Sequence, residues 1–368
     1  MLFNNKTIHL EDSLIHIGTG AIKELNNYLK HYKNNKKVKF FILVDENSIK
    51  YCLPLLVNQV KILNRAEIIE VESGENNKNI HVCIELWQTL SKYEANRKSV
   101  FINLGGGVIC DMGGFVASVF KRGIEFIHIP TTLLAQVDAS IGGKLGVNLD
   151  LIKNEIGLFK NPSQVIVYPW FLKTLGKREF LSGFAEIIKH ALIADTTYWK
   201  KILKTKLSDE TEILKLIHHS IEIKQAIVQK DSKEQNQRKL LNFGHTIGHA
   251  LESYFLEKKE ITLLHGEAIA AGMICESYIS YKKNKLSRAD LQEITLFINS
   301  LYKPITFKKE EEIRLVELMR HDKKNEGNDI NFTLLLKIGK AEFNKTGSVE
   351  LIRDSFKYYH EQYKLQKV

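Results

Sequence analysis

Three segments in the second half of the chain carry side chains that could hold one metal ion. Glu186 lies in FAEIIKH, His245 and His249 lie in LNFGHTIGHALES, and His265 lies in LLHGEAIAAGM. His245 and His249 are four residues apart, so both would project from one face of a helix. Catalytic zinc commonly takes histidine and carboxylate ligands and leaves one position for substrate. The alternatives are paired histidines that only pack, and an i,i+3 ion pair between Glu186 and Lys189.

A run of three glycines in the first half of the chain could receive a nucleotide phosphate. SVFINLGGGVICDMGGF predicts a strand, a glycine turn at residues 105–107 and a helix. Backbone N–H groups at such a helix start attract phosphate oxygens, helped by the helix dipole. Because the spacing is not GxGxxG, a tight turn without a ligand is the alternative. Asp45, at the end of FFILVD, could bind a ribose or act as a helix N-cap.

A second glycine-rich segment, VDASIGGKLGVNL, contains further polar residues. Asp138, Lys144 and Asn148 lie among small residues there, and Lys153 and Asn154 follow. A lysine on a glycine-rich loop can reach a phosphate as a point charge. Either lysine alone would be a surface residue, but two lysines near amide side chains favour an anion-binding segment.

Positive side chains accompany the proposed metal ligands. Arg238 and Asn242 precede His245 at helical spacing, and other cations occur at Arg122, Lys144, Lys153 and Lys224. A substrate that carries both a carboxylate and a phosphate would explain them. The alternative is that most are ordinary surface charges.

The order of elements predicts two domains. Short β-rich runs alternate with helical stretches in the first half, which predicts a parallel sheet covered by helices on both faces. TIHL and LIHIG, separated by EDS, predict an N-terminal hairpin. After about residue 169 the pattern is helical, with one late strand pair in FTLLLKIGKAEF. We therefore predict a Rossmann-like α/β domain over residues 1–172 and a mostly α-helical, metal-binding domain over residues 173–368.

The composition excludes several classes of protein. The 368 residues are 44% hydrophobic and 26% charged, with 53 basic and 43 acidic side chains and a net charge of +10. The lysines are scattered without interleaved aromatic residues, which argues against nucleic-acid binding. The chain shows no secretory signal and no apolar run of membrane-spanning length. The four cysteines have no CxxC spacing, so we expect them to be reduced, in a cytoplasmic protein.

At these residues the sequence resembles the 3-dehydroquinate synthase family, of the sugar-phosphate cyclase group. The similarity runs in order from GENNK at residues 74–78 to DKK at residues 322–324. Between them lie GGGVICDMGGF, PTTLLAQVDASIGGKLGVN, KNEIGLF, FAEIIK, LLNFGHTIGHALE and LLHGEA. One departure is Gly176, where the family more often has proline. Glycine is tolerated in a turn, so we attach no functional change to it.

The resemblance implies two bound groups, NAD and zinc, with cobalt able to replace the zinc. Zinc would be held by Glu186, His245 and His265. Residues implied to contact NAD are Asp45, Asn47, Glu75, Lys78, Gly106, Gly107, Asp111, Thr131, Thr132, Lys144, Lys153, Thr174, Leu175 and Glu179. The family pattern places the active site in the cleft between the two domains.

The resemblance also implies the residues that handle the substrate. The catalytic set is Asp138, Lys144, Lys189, Lys224 and His249. The substrate-binding set is Arg122, Asn154, Arg238, Asn242 and Lys323, where Lys324 is the alternative to Lys323. Family members are commonly homodimers, in which the arginine matching Arg122 reaches the neighbouring subunit's site.

The implied reaction converts 3-deoxy-D-arabino-heptulosonate 7-phosphate into 3-dehydroquinate and phosphate, the second step of the shikimate pathway. Transient oxidation by NAD acidifies a neighbouring C–H and allows phosphate to leave. Reduction, ring opening and an intramolecular aldol closure follow, so NAD is restored in each turnover. The metal would lower the pKa of a substrate hydroxyl.

Three other functions are alternatives. Another sugar-phosphate cyclase would make an inosose or a valiolone, although Asn242 and His249 match the dehydroquinate type. A metal- and NAD-dependent polyol dehydrogenase would accumulate NADH and would not need so many anion-binding residues. A regulatory protein could keep the fold without the chemistry, but the intact set of Glu186, His245, His265 and Lys189 argues against it.

Overall fold

The alternation of strands and helices predicted for the first half of the chain is present in the structure, a computed structural model. It describes residues 5–10, 12–35, 37–150, 152–258, 263–320 and 330–365. The chain divides into unit 1, residues 1–176, and unit 2, residues 177–368. Each unit is described by itself. Among the described helices, none has the length and apolar character needed to cross a membrane.

Unit 1 is built on a seven-stranded sheet with the order β1-β2-β9-β6-β5-β3-β4. Its strands are β1 Lys6–His9, β2 Leu14–Ile17, β3 Phe40–Asp45, β4 Glu67–Val71, β5 Val100–Gly105, β6 Glu125–Pro130 and β9 Gln164–Val167. β1 and β2 form the predicted antiparallel hairpin, and the other neighbouring strands pair in parallel. The predicted parallel sheet and N-terminal hairpin are therefore confirmed.

Helices cover both faces of this sheet because alternate strand residues are apolar on both sides. Phe40, Ile42 and Val44 of β3 belong to one buried cluster, whereas Phe41 and Leu43 belong to another. The helices of unit 1 are α1 Ala21–Leu29, α2 Glu46–Tyr51, α3 Leu53–Gln59, α4 Ile80–Lys92 and α5 Gly107–Val119. The first cluster includes residues of α1 and α3, and the second includes residues of α4 and α5.

A second hairpin in unit 1 was not predicted. β7 Lys144–Leu149 and β8 Ile152–Phe159 pair antiparallel, with Gly146 opposite Gly157. A Cβ on Gly146 would lie 2.7 Å from Ile156 O and 3.3 Å from Gly157 Cα, so both glycines permit a close approach of the two strands. Glycine is depleted in strands, so the glycine-rich sequence of this segment indicates a loop and gives no signal for the hairpin.

Unit 2 is mostly helical, as predicted. Its helices are α6 Lys177–Ala194, α7 Thr196–Lys204, α8 Glu210–Lys230, α9 His245–Lys258, α10 His265–Lys283, α11 Arg288–Leu301, α12 Glu311–Arg320 and α13 Val349–Leu365. The late strand pair is also confirmed, as β10 Ile330–Lys337 and β11 Lys340–Gly347, which pair antiparallel. A short 3₁₀ helix, Gln237–Asn242, precedes α9.

α10 lies at the centre of unit 2 and packs against α6, α9, α11, α13 and β10. Its small residues allow a very close approach of α9. A Cβ on Gly272 would lie 2.0 Å from Gly244 O and 2.9 Å from Gly248 N. A Cβ on Gly266 would lie 1.9 Å from Ser182 O of α6. Backbone therefore lies against backbone where α10 meets both neighbouring helices.

Replacing Gly272 by alanine should destabilise unit 2 because the new methyl group would meet rigid backbone atoms. Overpacking of this kind typically costs about 1–3 kcal/mol, which in a unit of this size lowers the unfolding midpoint by roughly 2–12 °C. Thermal unfolding followed by circular dichroism measures the shift.

Gly176→Ala is the matched control, because, apart from its two chain neighbours, none of the described residues has a heavy atom within 4 Å of the Cβ position at Gly176. Its midpoint should stay within about 1 °C of the parent protein. Equal midpoints for the Gly272→Ala and Gly176→Ala proteins would contradict the close-packing interpretation.

Candidate functional site

Three polar side chains of unit 2 converge on one point. Glu186 comes from α6, His245 is the first residue of α9, and His265 is the first residue of α10. The Nε2 atoms of His245 and His265 lie 3.6 Å and 3.7 Å from the same oxygen, Glu186 Oε1. Tetrahedral zinc with ligand bonds of about 2.1 Å needs donors separated by roughly 3.4 Å. The spacing of the three donors therefore suits one zinc ion.

The remaining nitrogen of each imidazole faces an acceptor. His245 Nδ1 lies 3.1 Å from Phe243 O, and His265 Nδ1 lies 3.2 Å from Glu252 Oε2. A carbonyl or carboxylate oxygen accepts a hydrogen bond, so each Nδ1 carries the proton. When a metal ion is bound, the lone pair of each Nε2 would face the ion beside Glu186, as in the carboxylate–histidine–zinc arrangement.

The electrostatics of this cluster favour a cation. Burial by itself lowers the pKa of His265, but the nearby carboxylates of Glu252 and Glu186 raise it to about 10. The site therefore stabilises positive charge strongly enough to overcome the cost of burial. Donor types, donor spacing and local charge all fit a divalent metal ion.

The ion pair between Glu186 and Lys189, which was the alternative to metal binding, is also present. Glu186 is fully buried and Lys189 is 1% exposed. Lys189 Nζ contacts Glu186 Oε2, whereas the two histidines face Glu186 Oε1. Since the two interactions use different oxygens, the ion pair and a metal ligand are compatible.

His249 lies beside the histidines of this cluster. Its ring centroid is 5.1 Å from that of His245 and 5.9 Å from that of His265. His249 therefore reaches the same region as the three candidate ligands. A neutral imidazole there can accept or donate a proton.

The segment before α9 arranges two of the predicted substrate-binding residues. Arg238, 2% exposed, donates from its guanidinium to Ser232 O at 2.6 Å, and Asn242 Nδ2 donates to Glu234 Oε1 at 3.0 Å. Although burial raises the pKa of Asp231, hydrogen bonds from three backbone N–H groups lower it below its usual value. A charged Asp231 thus holds this turn in shape.

Unit 1 contains a second polar network, built around a buried lysine. Lys78 Nζ donates to Asp111 Oδ2 and to Asn154 Oδ1, both at 2.6 Å. Asn148 Nδ2 donates to Glu75 Oε1 at 3.0 Å, and its Oδ1 accepts from Asn154 N at 2.8 Å. Four of the residues predicted to bind NAD or substrate are therefore joined directly or through Asn148.

The predicted glycine turn has the expected form. β5 ends at Gly105, and α5 begins at Gly107. A Cβ on Gly106 would lie 3.2 Å from Thr132 Cγ2, and one on Gly107 would lie 3.3 Å from Ala139 Cβ. Side chains at both positions would crowd the start of α5, so glycine keeps its first N–H groups accessible. Phosphate binding at this turn stays a prediction.

Asp45 is the N-cap of α2, the alternative that the sequence left open. Its Oδ1 accepts hydrogen bonds from Asn47 N at 3.1 Å and from Ser48 N at 2.7 Å. A cap does not exclude a ligand contact by the other carboxylate oxygen. Contacts of Asp45 and Asn47 with NAD stay predictions.

The remaining predicted residues have clear positions in the fold. Thr131 and Thr132 follow β6, and Thr174 and Leu175 close a short 3₁₀ helix at the end of unit 1. Others lie at Arg122 (φ +68°), Asp138 in a π-helical turn, Lys144 in β7, Lys153 in β8, Glu179 in α6 and Lys224 in α8. Lys323 lies outside the described residues.

Sequence reasoning missed three polar residues that shape these sites. Asn148 is predicted only as part of an anion-binding segment, whereas in the structure it links Glu75 to Asn154. Glu252, seven residues after His245 and hence on the same helix face, contacts His265. Glu276 carries no signal in its local sequence, because its partners are about 30 residues away in the chain.

Comparisons with known proteins identify the family of the chain. Residues 68–182 match the model of the 3-dehydroquinate synthase N-terminal domain, and residues 183–325 match that of the C-terminal domain. The 3-dehydroquinate synthase of Parabacteroides distasonis is 41% identical over 345 residues, which cover 93% of this chain and 97% of that protein.

Solved structures share the fold. A 2-deoxy-scyllo-inosose synthase complexed with carbaglucose-6-phosphate, NAD+ and Co2+ has a TM-score of 0.80 at 22% identity, covering 95% of this chain and 98% of that one. The 2-epi-5-epi-valiolone synthase ValA of Streptomyces hygroscopicus, with NAD+ and Zn2+, has a TM-score of 0.75 at 23% identity, covering 88% and 91%. With both domain models matched in order and a relative aligned over nearly its whole length, the chain belongs to the 3-dehydroquinate synthase family.

Proposed function

We propose that the chain is a 3-dehydroquinate synthase that converts 3-deoxy-D-arabino-heptulosonate 7-phosphate into 3-dehydroquinate and phosphate. The observation that carries this proposal is the convergence of Glu186, His245 and His265 in a chain that belongs to this family. We further propose that residues 1–172 bind NAD and that residues 173–368 bind the metal and the substrate.

The cofactors follow from the chemistry of the donors and from the similar structures. One inosose synthase contains NAD+ and Co2+, and one valiolone synthase contains NAD+ and Zn2+. In this chain Glu186, His245 and His265 would hold zinc, for which cobalt can substitute. When bound, the metal would polarise substrate hydroxyl groups and NAD would supply a reversible hydride acceptor.

The contribution of the chain itself is mainly to place charge around an anionic substrate. Arg238 and Lys224 are 2% and 5% exposed, so each would offer a poorly hydrated cation to a carboxylate or phosphate group. Asn242 would donate to a substrate oxygen, and Arg122, Lys144, Asn154 and Lys323 would complete the binding set. Lys189 offsets the buried charge of Glu186 and would also bind substrate.

Proton transfer would fall to His249 and Asp138. The ring of His249 lies beside the candidate ligands, so its imidazole would accept or return a proton on the bound sugar. Asp138 lies in a π-helical turn, a geometry that often occurs at functional positions. Its carboxylate would order water or the substrate.

NAD would bind along the polar network and the glycine turn of unit 1. The N–H groups at Gly106 and Gly107 would face the pyrophosphate, with Thr131 and Thr132 adjacent in sequence to β6. Lys78, fixed by Asp111 and Asn154, would present a cation of defined position. The further predicted contacts are Asp45, Asn47, Glu75, Lys144, Lys153, Thr174, Leu175 and Glu179.

We also propose a cytoplasmic homodimer that binds neither nucleic acid nor membranes. The four cysteines are free and buried, which suits a reducing compartment. Burial raises the pKa of the Cys52 and Cys83 thiols to about 12, so these thiols are unreactive. In the dimer, Arg122 would reach the site of the neighbouring subunit.

The alternative functions receive less support. The inosose and valiolone synthases are 22% and 23% identical to this chain, so they support the shared fold alone. The 3-dehydroquinate synthase of Parabacteroides distasonis is 41% identical over almost the whole chain. A polyol dehydrogenase remains distinguishable by its net production of NADH.

Turnover separates the cyclase from the dehydrogenase. Purified protein is mixed with the heptulosonate phosphate, zinc and a catalytic amount of NAD. One phosphate should be released for each substrate molecule consumed, and the catalytic amount of NAD should suffice because NAD is restored in each cycle. Phosphate is measured colorimetrically and NADH by its near-ultraviolet absorbance. If NADH accumulates in step with substrate loss and no phosphate is released, the protein is a dehydrogenase and the cyclase proposal is wrong.

His245→Ala should remove a metal ligand. We expect zinc affinity to fall by more than 100-fold and activity to be lost, because two remaining ligands hold the ion poorly. Zinc content after dialysis is measured by atomic absorption. His81→Ala, which changes an exposed histidine of α4, is the control and should keep full zinc content. Wild-type zinc content in the His245→Ala protein would exclude His245 as a ligand.

Lys78→Met should disrupt the network in unit 1 and weaken NAD binding by about 10- to 100-fold, since a buried cation and two hydrogen bonds are lost. Binding is measured by isothermal titration calorimetry. Lys92→Met, on the exposed side of α4, is the matched control and should bind NAD normally. Unchanged NAD affinity in Lys78→Met would show that the network is structural only.

A further inference from the structure

The helix that carries His245 begins without a side-chain cap of its own. The first N–H groups of a helix lack intrahelical partners, and a Ser, Thr, Asp or Asn at the N-cap usually satisfies one of them. α9 begins at His245, and the residue before it is Gly244, which has no side chain. The start of α9 therefore depends on a partner from elsewhere in the chain.

Glycine is required at this position for two reasons. Gly244 has φ +79°, which residues with a Cβ rarely adopt. A Cβ there would also lie 2.6 Å from Met273 Cγ and 3.1 Å from Ile269 O, both in α10. The close approach of α9 and α10 thus excludes a local capping side chain at this helix start.

Glu276 of α10 supplies the cap instead. Its Oε2 accepts from Gly244 N at 2.7 Å, and its Oε1 accepts from Ile247 N at 3.1 Å. Glu276 is fully buried. Its carboxylate lies at the positive end of the α9 dipole, where a negative charge is stabilised. One buried side chain thus holds the backbone of Gly244, just before His245, and of Ile247, in the first turn after it.

α9 and α10 each contribute a carboxylate to the start of the other helix. α10 provides Glu276 to the backbone at the start of α9, and α9 provides Glu252 to the imidazole of His265 at the start of α10. Each helix begins on a candidate metal ligand, and each receives a carboxylate from the other. The relative position of His245 and His265 therefore depends on these two glutamates.

We infer that Glu276 is a positioning residue of the metal centre, which fixes His245 relative to His265 by capping α9 from α10. This inference rests on the proposed function, because it requires the three-ligand metal site. Glu276 acts on His245 through the backbone N–H groups of Gly244 and Ile247. Loss of the cap would displace the His245 imidazole and loosen the metal geometry.

The test compares Glu276→Gln with the parent protein, using the full chain. The glutamine carbonyl can accept one of the two hydrogen bonds, but its amide group would face the other N–H. We expect zinc affinity to fall by about 10- to 100-fold, as for other groups that orient metal ligands. Zinc affinity is measured by competition with a chromophoric chelator. The visible absorption spectrum of the Co2+-substituted protein should shift as well, because it reports ligand geometry directly.

Asp195→Asn is the control for loss of a capping carboxylate as such. Asp195 caps α7 by accepting from Thr197 N at 2.7 Å and Tyr198 N at 3.0 Å, and α7 carries no candidate ligand. This variant should lower the unfolding midpoint but keep the parental zinc affinity and cobalt spectrum. Glu276→Asp keeps the charge on a shorter side chain and should bind zinc with intermediate affinity.

The outcomes are distinct. A Glu276→Gln protein that is less stable but retains parental zinc affinity and cobalt spectrum would overturn the inference and leave a purely structural cap. If Glu276→Gln does not fold, Glu276→Asp decides: weaker zinc binding supports the positioning role, and parental binding refutes it. A parent protein that binds no zinc would refute the metal site itself, and the inference with it.

Discussion

The fully buried carboxylate of Glu186 is the constraint on which unit 2 depends. A charge removed from water is tolerated only where opposite charge and hydrogen-bond donors surround it. Lys189 compensates one oxygen from the same helix, and two imidazoles from other helices face the second. The helices α6, α9 and α10 must therefore pack so that their side chains converge at Glu186 Oε1.

Close backbone contacts of α10 with α9 and with α6 make this convergence possible. Gly272 lets α10 approach α9, and Gly266 lets α10 approach α6, in both cases nearer than a side chain would allow. A bidentate ion pair between Arg178 of α6 and Glu267 of α10, with both N–O distances 2.7 Å, also joins these two helices. Since α10 starts at His265 and is held from both sides, the ligand is placed by rigid elements rather than by a loop.

Much of the fold and part of the candidate site could be predicted from local sequence. Strand alternation predicted the main sheet, and motif order predicted the family. The β7–β8 hairpin was missed because glycine weakens a strand signal, although Gly146 and Gly157 are what allow its strands to pair closely. Glu276 could not be predicted, since its role depends on residues about 30 positions away and on a packing distance that no local pattern records.

The buried network of unit 1, which we propose to bind NAD, has a consequence for the thermodynamics of that binding. Lys78 joins Asp111 and Asn154, residues 33 and 76 positions away in sequence. Asn154 adopts a left-handed backbone conformation, φ +51°, which asparagine accepts more readily than most residues. Chain segments remote in sequence thus lose their conformational freedom during folding rather than during association. A nucleotide bound at this network, as proposed, would contact side chains that are already ordered by hydrogen bonds within the protein.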